Sequence, residues 1–476
     1  MSEQYKLFIN GQWVETDETL DVLDKYSQKT YATVYKAGEE QVDQAISSAE
    51  SAFHNHPLSP YQRYEILKKV SELLADNKEE LAQTITREAG KPLKQALTEI
   101  NRSSQTFEVA AEEAKRISGE GVPVEAAPGS ENRMAFTIRV PVGVVGAISP
   151  FNFPLNLVSH KVAPAIAAGN AVVLKPASAT PITSLKLAEL FVQAGLPAGL
   201  FNVIVGSGSV VGQQMMEDSR IQLYTFTGSA KVGLKLKQTT GLNKLILELG
   251  NNSPVIVDKD ADVEQAANNI AQKGFAFAGQ VCISVQRVYV HEAIKDTFQK
   301  RLIEAVKSLK VGDPNDPDTD VGPMIAESEA ERAEQWVKEA VDNGAELLIG
   351  GERNGPVYQP TVVNSVKKDM KVVCEEIFAP VISLISYNNL DDCIDEVNES
   401  PYGLQGGIFT QNLDTAFYAA RKVEVGGLMI NDSSQYRVDL MPYGGVKDSG
   451  SGKEGPKYSI EEMTNERLIV WNLKNG

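Results

Sequence analysis

The sequence predicts an α/β fold: two doubly wound α/β domains with a small β arm. Three observations carry that expectation. From Val142 to Gly250, short Val/Ile-rich segments alternate with amphipathic segments of helical length. A second series of the same kind begins near Asn251. The chain has 476 residues, too many for one hydrophobic core.

The elements follow in order. "YKLFINGQWVE" reads as a hairpin, two apolar runs around Asn10-Gly11. From Glu39 to Ile117, apolar residues recur at spacings of three and four. This predicts helices in "EEQVDQAISSAESAF", "YQRYEILKKVSELLADNKEELAQTITREAG" and "KQALTEINRSSQTFEVAAEEAKRI". "SGEGVPVEAAPGSENRMAFTIRVPVG" is rich in Gly and Pro and ends in a β-like run, as a surface arm would. The first alternating series gives strands "VGVVGAIS", "NAVVLKP", "FNVIVG", "IQLYTFTG" and "NKLILELG". Between them lie helices "LNLVSHKVAPAIAAG", "ITSLKLAELFVQAG", "GSVVGQQMME" and "KVGLKLKQTT". Such alternation implies a parallel sheet with right-handed crossovers, and ligands beyond the carboxyl ends of its strands. In the second series, "NSPVIVD", "VQRVYVH", "VISLISY" and "GGLMIND" read as strands. "VEQAANNIAQKGFAFA", "AIKDTFQKRLIEAVKSL", "SEAERAEQWVKEAVDNG" and "DTAFYAARKV" read as helices. "RLIVWNLK" alternates and reads as an edge strand open to a second subunit.

Composition narrows the function. The net charge of −17 argues against a nucleic-acid backbone or an anionic membrane as partner. A locally basic pocket for a small anion stays compatible with it. Cys282, Cys374 and Cys393 are too few and too scattered for a disulfide framework. The four histidines show no metal-ligand spacing, so no metal is expected, and nothing ties a histidine to Cys282 as a protease pair. The first residues lack the basic and apolar regions of a signal peptide. The longest apolar stretch, "VPVGVVGAISPFNFPLNLV", is broken by Pro and Asn. A cytoplasmic location is expected.

Four places could carry chemistry. "GSGSVVG" resembles a dinucleotide fingerprint but has one residue too many before its last glycine. In "FTGSAKVG", Gly228 and Ser229 follow a strand and open a helix, which suits a phosphate or an ordinary N-cap. In "SPFNFP", Asn152 offers a side-chain amide at a strand end, for an oxyanion or simply for a turn. In "LILELG", Glu248 ends an apolar run, as a general base or as a carboxylate reaching solvent. Cys282 in "GFAFAGQVCISVQRV" is then either an inert small hydrophobe or a nucleophile.

Taken together, "PFNFP", "VLKPA", "FTGS", "LELGNNSP", "FAGQVC", "EEIFAP" and "PYGGVKDSGSGKEG" resemble the aldehyde dehydrogenase superfamily, in the same order and over essentially the whole chain. The resemblance implies an aldehyde dehydrogenase-like fold and NAD(P)-dependent oxidation of an aldehyde to its acid. Cys282 would be the nucleophile, with the oxyanion held by the Asn152 amide and the Cys282 backbone N–H. Glu248 would activate water to hydrolyse the thioester. For the cofactor, NAD or NADP, the resemblance maps Lys175 to the adenosine ribose and Gly228 and Ser229 to the pyrophosphate. Glu376 and Phe378 map to the nicotinamide end. Pro150, Phe151, Phe226, Val232 and Leu249 complete the cofactor contacts. Ser178 stands where NAD-preferring members often have Glu, which admits NADP without forbidding NAD.

The same resemblance divides the chain into a cofactor domain (1–117 and 138–250), a catalytic domain (251–455) and an oligomerisation arm (118–137 and 456–476) of a homodimer or homotetramer. Arg102 and Arg437 fall where an anionic substrate end would bind, though each could instead form a surface salt bridge. Val281 before the nucleophile departs from the phosphate-specific glyceraldehyde-3-phosphate dehydrogenases and resembles the lactaldehyde dehydrogenase-like branch. The substrate expected is a short 2-hydroxyaldehyde with an anionic end: lactaldehyde, sulfolactaldehyde or glyceraldehyde 3-phosphate. Succinic semialdehyde or a general aldehyde is the alternative. A catalytically silent binding protein on this fold would be expected to lack Cys282, Glu248 or Asn152, and all three are present.

Overall fold

The structure, a computed structural model, describes residues 3–473, so the outermost residues of the 1–117 and 456–476 ranges lie outside it. The first alternating series forms an eight-stranded sheet. Its order is Gly450–Ser451, Lys244–Glu248, Ile221–Thr227, Val144–Ile148, Ala171–Lys175, Phe201–Val203, Leu7–Ile9 and Gln12–Val14. The strands from Lys244–Glu248 to Phe201–Val203 run parallel. The chain winds outward in both directions from Val144–Ile148. Its loop and that of Ile221–Thr227 therefore diverge beyond their carboxyl ends and open a crevice. These strands are Val/Ile-rich because helices cover both faces of the sheet.

The hairpin forms as expected. Asn10 and Gly11 both have positive φ, 51° and 72°, the turn that matches strand twist, and Leu7–Ile9 pairs with Gln12–Val14. One helix differs from expectation. "GSVVGQQMME" begins as a wider π-type turn over Gly208–Gly212, then becomes α-helical over Gln213–Glu217. The Ser207 carbonyl accepts from both Val211 and Gly212, which widens that turn.

The second series forms a seven-stranded sheet in the order Glu346–Ile349, Thr361–Asn364, Val381–Tyr387, Val285–His291, Ser253–Val257, Gln405–Phe409 and Gly427–Ile430. Gln405–Phe409 escapes the sequence pattern because Gly406 and Gly407 lower its strand propensity. They are needed for close approach: a Cβ on Gly407 would lie 2.5 Å from the Asp432 carbonyl oxygen. The expected helix "VEQAANNIAQKGFAFA" is also shorter than its pattern. It ends at Gly274, and "FAFAG" folds into a kinked turn.

A third sheet joins Thr464–Asn472, Arg133–Pro141 and Gly121–Val122, all antiparallel. Among the described residues, no helix is long and apolar enough to cross a membrane, and no His/Cys/Asp/Glu cluster could hold a metal.

Each large sheet has its own core. Phe277, Val281 and Ile283 pack into the core of the first sheet, while Phe275, Ala278 and Val285 pack into that of the second. The segment carrying Cys282 is stitched across the seam between them.

Candidate active site

The loop before Cys282 is strained. Phe277, Ala278 and Gly279 have φ of 47°, 51° and 68°. Two of these are not glycine, so the left-handed conformation costs energy and must be held from outside. The Phe277 N–H donates to Gln95 Oε1 at 2.9 Å. Lys91 Nζ lies 4.7 Å from the Phe277 ring centroid. Gly279 presses on the Ala379 carbonyl, where a Cβ would come within 2.1 Å of the oxygen. The turn throws Gln280–Ser284 into the seam.

Asn152 arrives there from the strand end after Ile148. It is buried, and its Nδ2 donates to the Gln280 carbonyl at 2.9 Å, two residues before the cysteine. Its Oδ1 has no partner. The Cys282 backbone N–H has no hydrogen-bond partner among the described residues. Cys282 is half-buried, and its Sγ lies 3.1 Å from the Tyr443 hydroxyl. Burial pushes the Cys282 thiol up to about 11, and Tyr443 and Arg437 pull against that rise.

The thiol opens onto a cavity of about 450 Å³ that Arg102, Arg437 and Val281 also line. Lys91, Arg102, Lys273 and Arg437 face this cavity, against one carboxylate, Glu99. Lys91 is paired with Glu99. Arg102 is held by Asp439 through Nε at 3.2 Å and Nη2 at 2.8 Å, leaving Nη1 free of that pairing. Asp439 also meets His160 Nε2 at 2.7 Å. Burial would raise the Asp439 carboxyl, but His160 and Arg102 hold it well below the usual range. Arg437 is no surface bridge. Its Nη2 donates to buried Glu454 at 3.1 Å and its guanidinium lies 3.6 Å over the Tyr443 ring. Its buried Nε has no partner.

Glu248 does not line this cavity. It does not reach solvent: it is 2% exposed, and neither carboxylate oxygen has a hydrogen-bond partner. Burial, then the negative charge of Glu454, raise its pKa well above that of an ordinary carboxyl. Glu454 behaves oppositely. Burial would raise it, but Lys161 Nζ at 3.0 Å and Arg437 outweigh that and bring it down to about 2. Sequence reading missed Tyr443, Lys161, Glu454, Asp439 and Lys273. One signal was present: His160 and Lys161 are the two ionisable residues of a mostly apolar helix, Asn156–Ala168, every residue of which is buried.

The crevice of the first sheet carries the cofactor residues expected from the motifs. Ser229 precedes the helix Ala230–Thr239, and its hydroxyl makes no capping bond, so it is left for another acceptor. Gly228 lies against the Phe226 ring, where a Cβ would come within 2.6 Å. Leu249 packs on Gly233 of the same helix, and Val232 is exposed on it. Lys175 is buried, which brings its ammonium down to about 8. Ser178 Oγ donates to the Gly206 carbonyl at 2.9 Å, so the near-fingerprint glycine loop closes against the Lys175 strand. Across the crevice, the Glu376 carboxylate accepts from the Asn251 N–H at 2.9 Å, and burial raises its pKa to about 7. Phe378 meets Phe151, beside Pro150, edge to face at 5.9 Å. A helix start with free donors, an uncommitted hydroxyl and no Cβ at Gly228 fits a dinucleotide pyrophosphate.

Known proteins resemble this chain over nearly its whole length. A model of the aldehyde dehydrogenase family matches residues 13–469. A 3-sulfolactaldehyde dehydrogenase of Priestia megaterium is 54% identical over 471 residues, 99% of this chain and 98% of its own. Aldehyde dehydrogenase 21 from Physcomitrella patens, solved with the reaction product succinate, is 42% identical with a TM-score of 0.97, covering 100% of this chain and 99% of that one. The glyceraldehyde-3-phosphate dehydrogenase GapN of Methanocaldococcus jannaschii, solved with NADP, is 41% identical with a TM-score of 0.92, covering 96% and 100%. The chain therefore belongs to the aldehyde dehydrogenase family and is an NAD(P)-dependent enzyme that oxidises an aldehyde.

Proposed function

We propose that the substrate is a short 2-hydroxyaldehyde with an anionic end, sulfolactaldehyde before others. The observation that carries this reading is the charge of the cavity at Cys282: four cationic side chains against one carboxylate. Arg102 and Arg437 each keep donors beyond their carboxylate partners, and Lys273 has no ion-pair partner among the described residues. A sulfonate or carboxylate end would take those donors while the aldehyde reaches Sγ. The 54% identity to the Priestia enzyme supports the sulfonate. The moss enzyme with bound succinate favours succinic semialdehyde as second reading.

The chain's own groups then divide the work. The Cys282 thiolate adds to the aldehyde carbon. The new oxyanion lies against the Asn152 amide and the Cys282 N–H. NAD(P), when bound, supplies the hydride acceptor. Gly228, Ser229, Lys175, Ser178, Phe226, Val232 and Leu249 would hold its adenosine and pyrophosphate, and Glu376, Phe378, Pro150 and Phe151 its nicotinamide end. Glu248 takes a proton from the water that cleaves the thioester on Sγ. Residues 1–117 with 138–250 serve as the cofactor domain and 251–455 as the catalytic domain. The arm of 118–137 and 456–476 would pair copies of the chain, since Met134, Leu468, Val470 and Trp471 are exposed on the sheet formed by Arg133–Pro141 and Thr464–Asn472. The free thiol at Cys282 suits the reducing cytoplasm.

The test is a panel of sulfolactaldehyde, lactaldehyde, succinic semialdehyde, glyceraldehyde 3-phosphate and propanal, each with NAD and NADP. Sulfolactaldehyde should give the highest kcat/KM. Arg102→Ala should raise its KM roughly ten- to hundredfold, the worth of a hydrogen bond to a charge. Propanal should hardly respond. An equal effect on both would overturn the anionic reading.

A further inference from the structure

Tyr443 belongs to none of the roles above, yet its hydroxyl is the group in hydrogen-bond contact with Cys282 Sγ, at 3.1 Å. Tyr443 is 2% exposed, and its hydroxyl has no other hydrogen-bond partner among the described residues. A buried tyrosine hydroxyl needs a partner, and here that partner is sulfur. In the thiol form either atom can donate. Once the thiol has lost its proton to water, only the tyrosine can.

We propose that Tyr443 is a catalytic residue whose hydroxyl donates a hydrogen bond to the Cys282 thiolate and holds the nucleophile poised for attack. This rests on Cys282 being the nucleophile, as proposed above.

The setting of the ring fits the role. The Tyr443 N–H donates to the Glu454 carbonyl at 3.1 Å, and the Glu454 N–H donates to the Tyr443 carbonyl at 2.7 Å. The Arg437 guanidinium lies over the ring at 3.6 Å, held by Glu454, which is held in turn by Lys161. These contacts oppose a swing of the ring away from sulfur. A cation over the aromatic face also draws charge from the ring and strengthens its hydroxyl as a donor. The groups acting on Sγ divide clearly. Burial, Glu248 and Glu376 oppose the thiolate, while the Tyr443 hydroxyl and Arg437 favour it. Burial and the neighbouring Cys282 also keep Tyr443 protonated, so it stays a donor and does not relay a proton.

Tyr443→Phe keeps the ring and its stacking on Arg437 and deletes only the hydroxyl. Wild type and variant, full length and without cofactor, would be alkylated with iodoacetamide between pH 7 and 12, a range that includes the elevated midpoint of the Cys282 thiol, with each cysteine followed by peptide mass spectrometry. Exposed Cys374 serves as the internal reference. The Cys282 curve should move to higher pH by about one unit, the worth of one hydrogen bond. Below the midpoint this reads as roughly threefold slower alkylation, since a weaker thiol acid is a better nucleophile as thiolate. The Cys374 curve should stay in place. An unmoved Cys282 curve overturns the proposal. So does a variant that melts earlier with that curve unmoved, because the hydroxyl then only supports packing. Turnover of aldehyde by Cys282→Ala would instead remove the nucleophile assignment itself, which the alkylation curves do not decide.

Discussion

Glu248 illustrates the residue scale. A buried carboxylate with no hydrogen bond is unstable as an anion, so it keeps its proton until higher pH than an ordinary glutamate. Only the deprotonated form can accept a proton from water. Thioester hydrolysis should therefore accelerate as pH rises through the neutral and alkaline range. Glu248→Gln should flatten that rise and lower kcat by about 10²–10⁴-fold. Stopped-flow absorbance should then show a burst of about one reduced cofactor per site, with the acyl group trapped on Cys282. A variant with no burst and full turnover would remove Glu248 from the reaction. Cys282, Glu248 and Asn152 stand out in the sequence through the company of the other motifs, since each alone reads equally as an inert thiol, a solvent-reaching carboxylate or a turn residue. Tyr443 and Asp439 do not. Asp439 lies outside every motif and Tyr443 appears only as one member of "PYGGVKDSGSGKEG", and the importance of each comes from what the fold sets beside it.

At the scale of elements, the turn Phe277–Gly279 decides where the nucleophile goes. The helical period of "VEQAANNIAQKGFAFA" continues past Gly274 in sequence, but the chain leaves it in space. Packing against Gln95, Lys91 and Ala379 overrides the local preference. Gly279→Ala would set a Cβ against the Ala379 carbonyl and force a left-handed conformation on alanine. The expected result is a loss of roughly 2–4 kcal/mol in urea unfolding and little remaining activity. Stability within 0.5 kcal/mol of wild type would mean the turn is not constrained as described. Gln405–Phe409 teaches the same lesson from the other side. Its two glycines look like a turn in sequence and form a central strand because neighbouring backbone leaves no room for a side chain.

For the whole molecule, buried charge sets the response to pH. Glu454 is held down at about 2 and Asp439 lower than usual by their cationic partners. Both stabilise the fold above the ordinary carboxyl range, and that stabilisation is lost as pH falls from about 4.5 toward 2. Glu88 and Glu376 are raised to about 7 by burial, so they cost stability as pH climbs from about 4.5 to 7. Thermal melts between pH 3 and 8 should peak near pH 5. A melting temperature still rising below pH 4 would contradict the ion-pair assignment. The sequence by itself determined the layered α/β class, the parallel strands, the hairpin and, through its motifs, the family. These depend on local period, turn chemistry and short motifs, which are written along the chain. Tertiary structure alone decided that Cys282 lies at a seam between two cores, under a tyrosine clamped by a buried ion-pair network. The Cys282–Tyr443 and Lys161–Glu454 contacts join residues 160 or more positions apart, and no local pattern encodes such a contact.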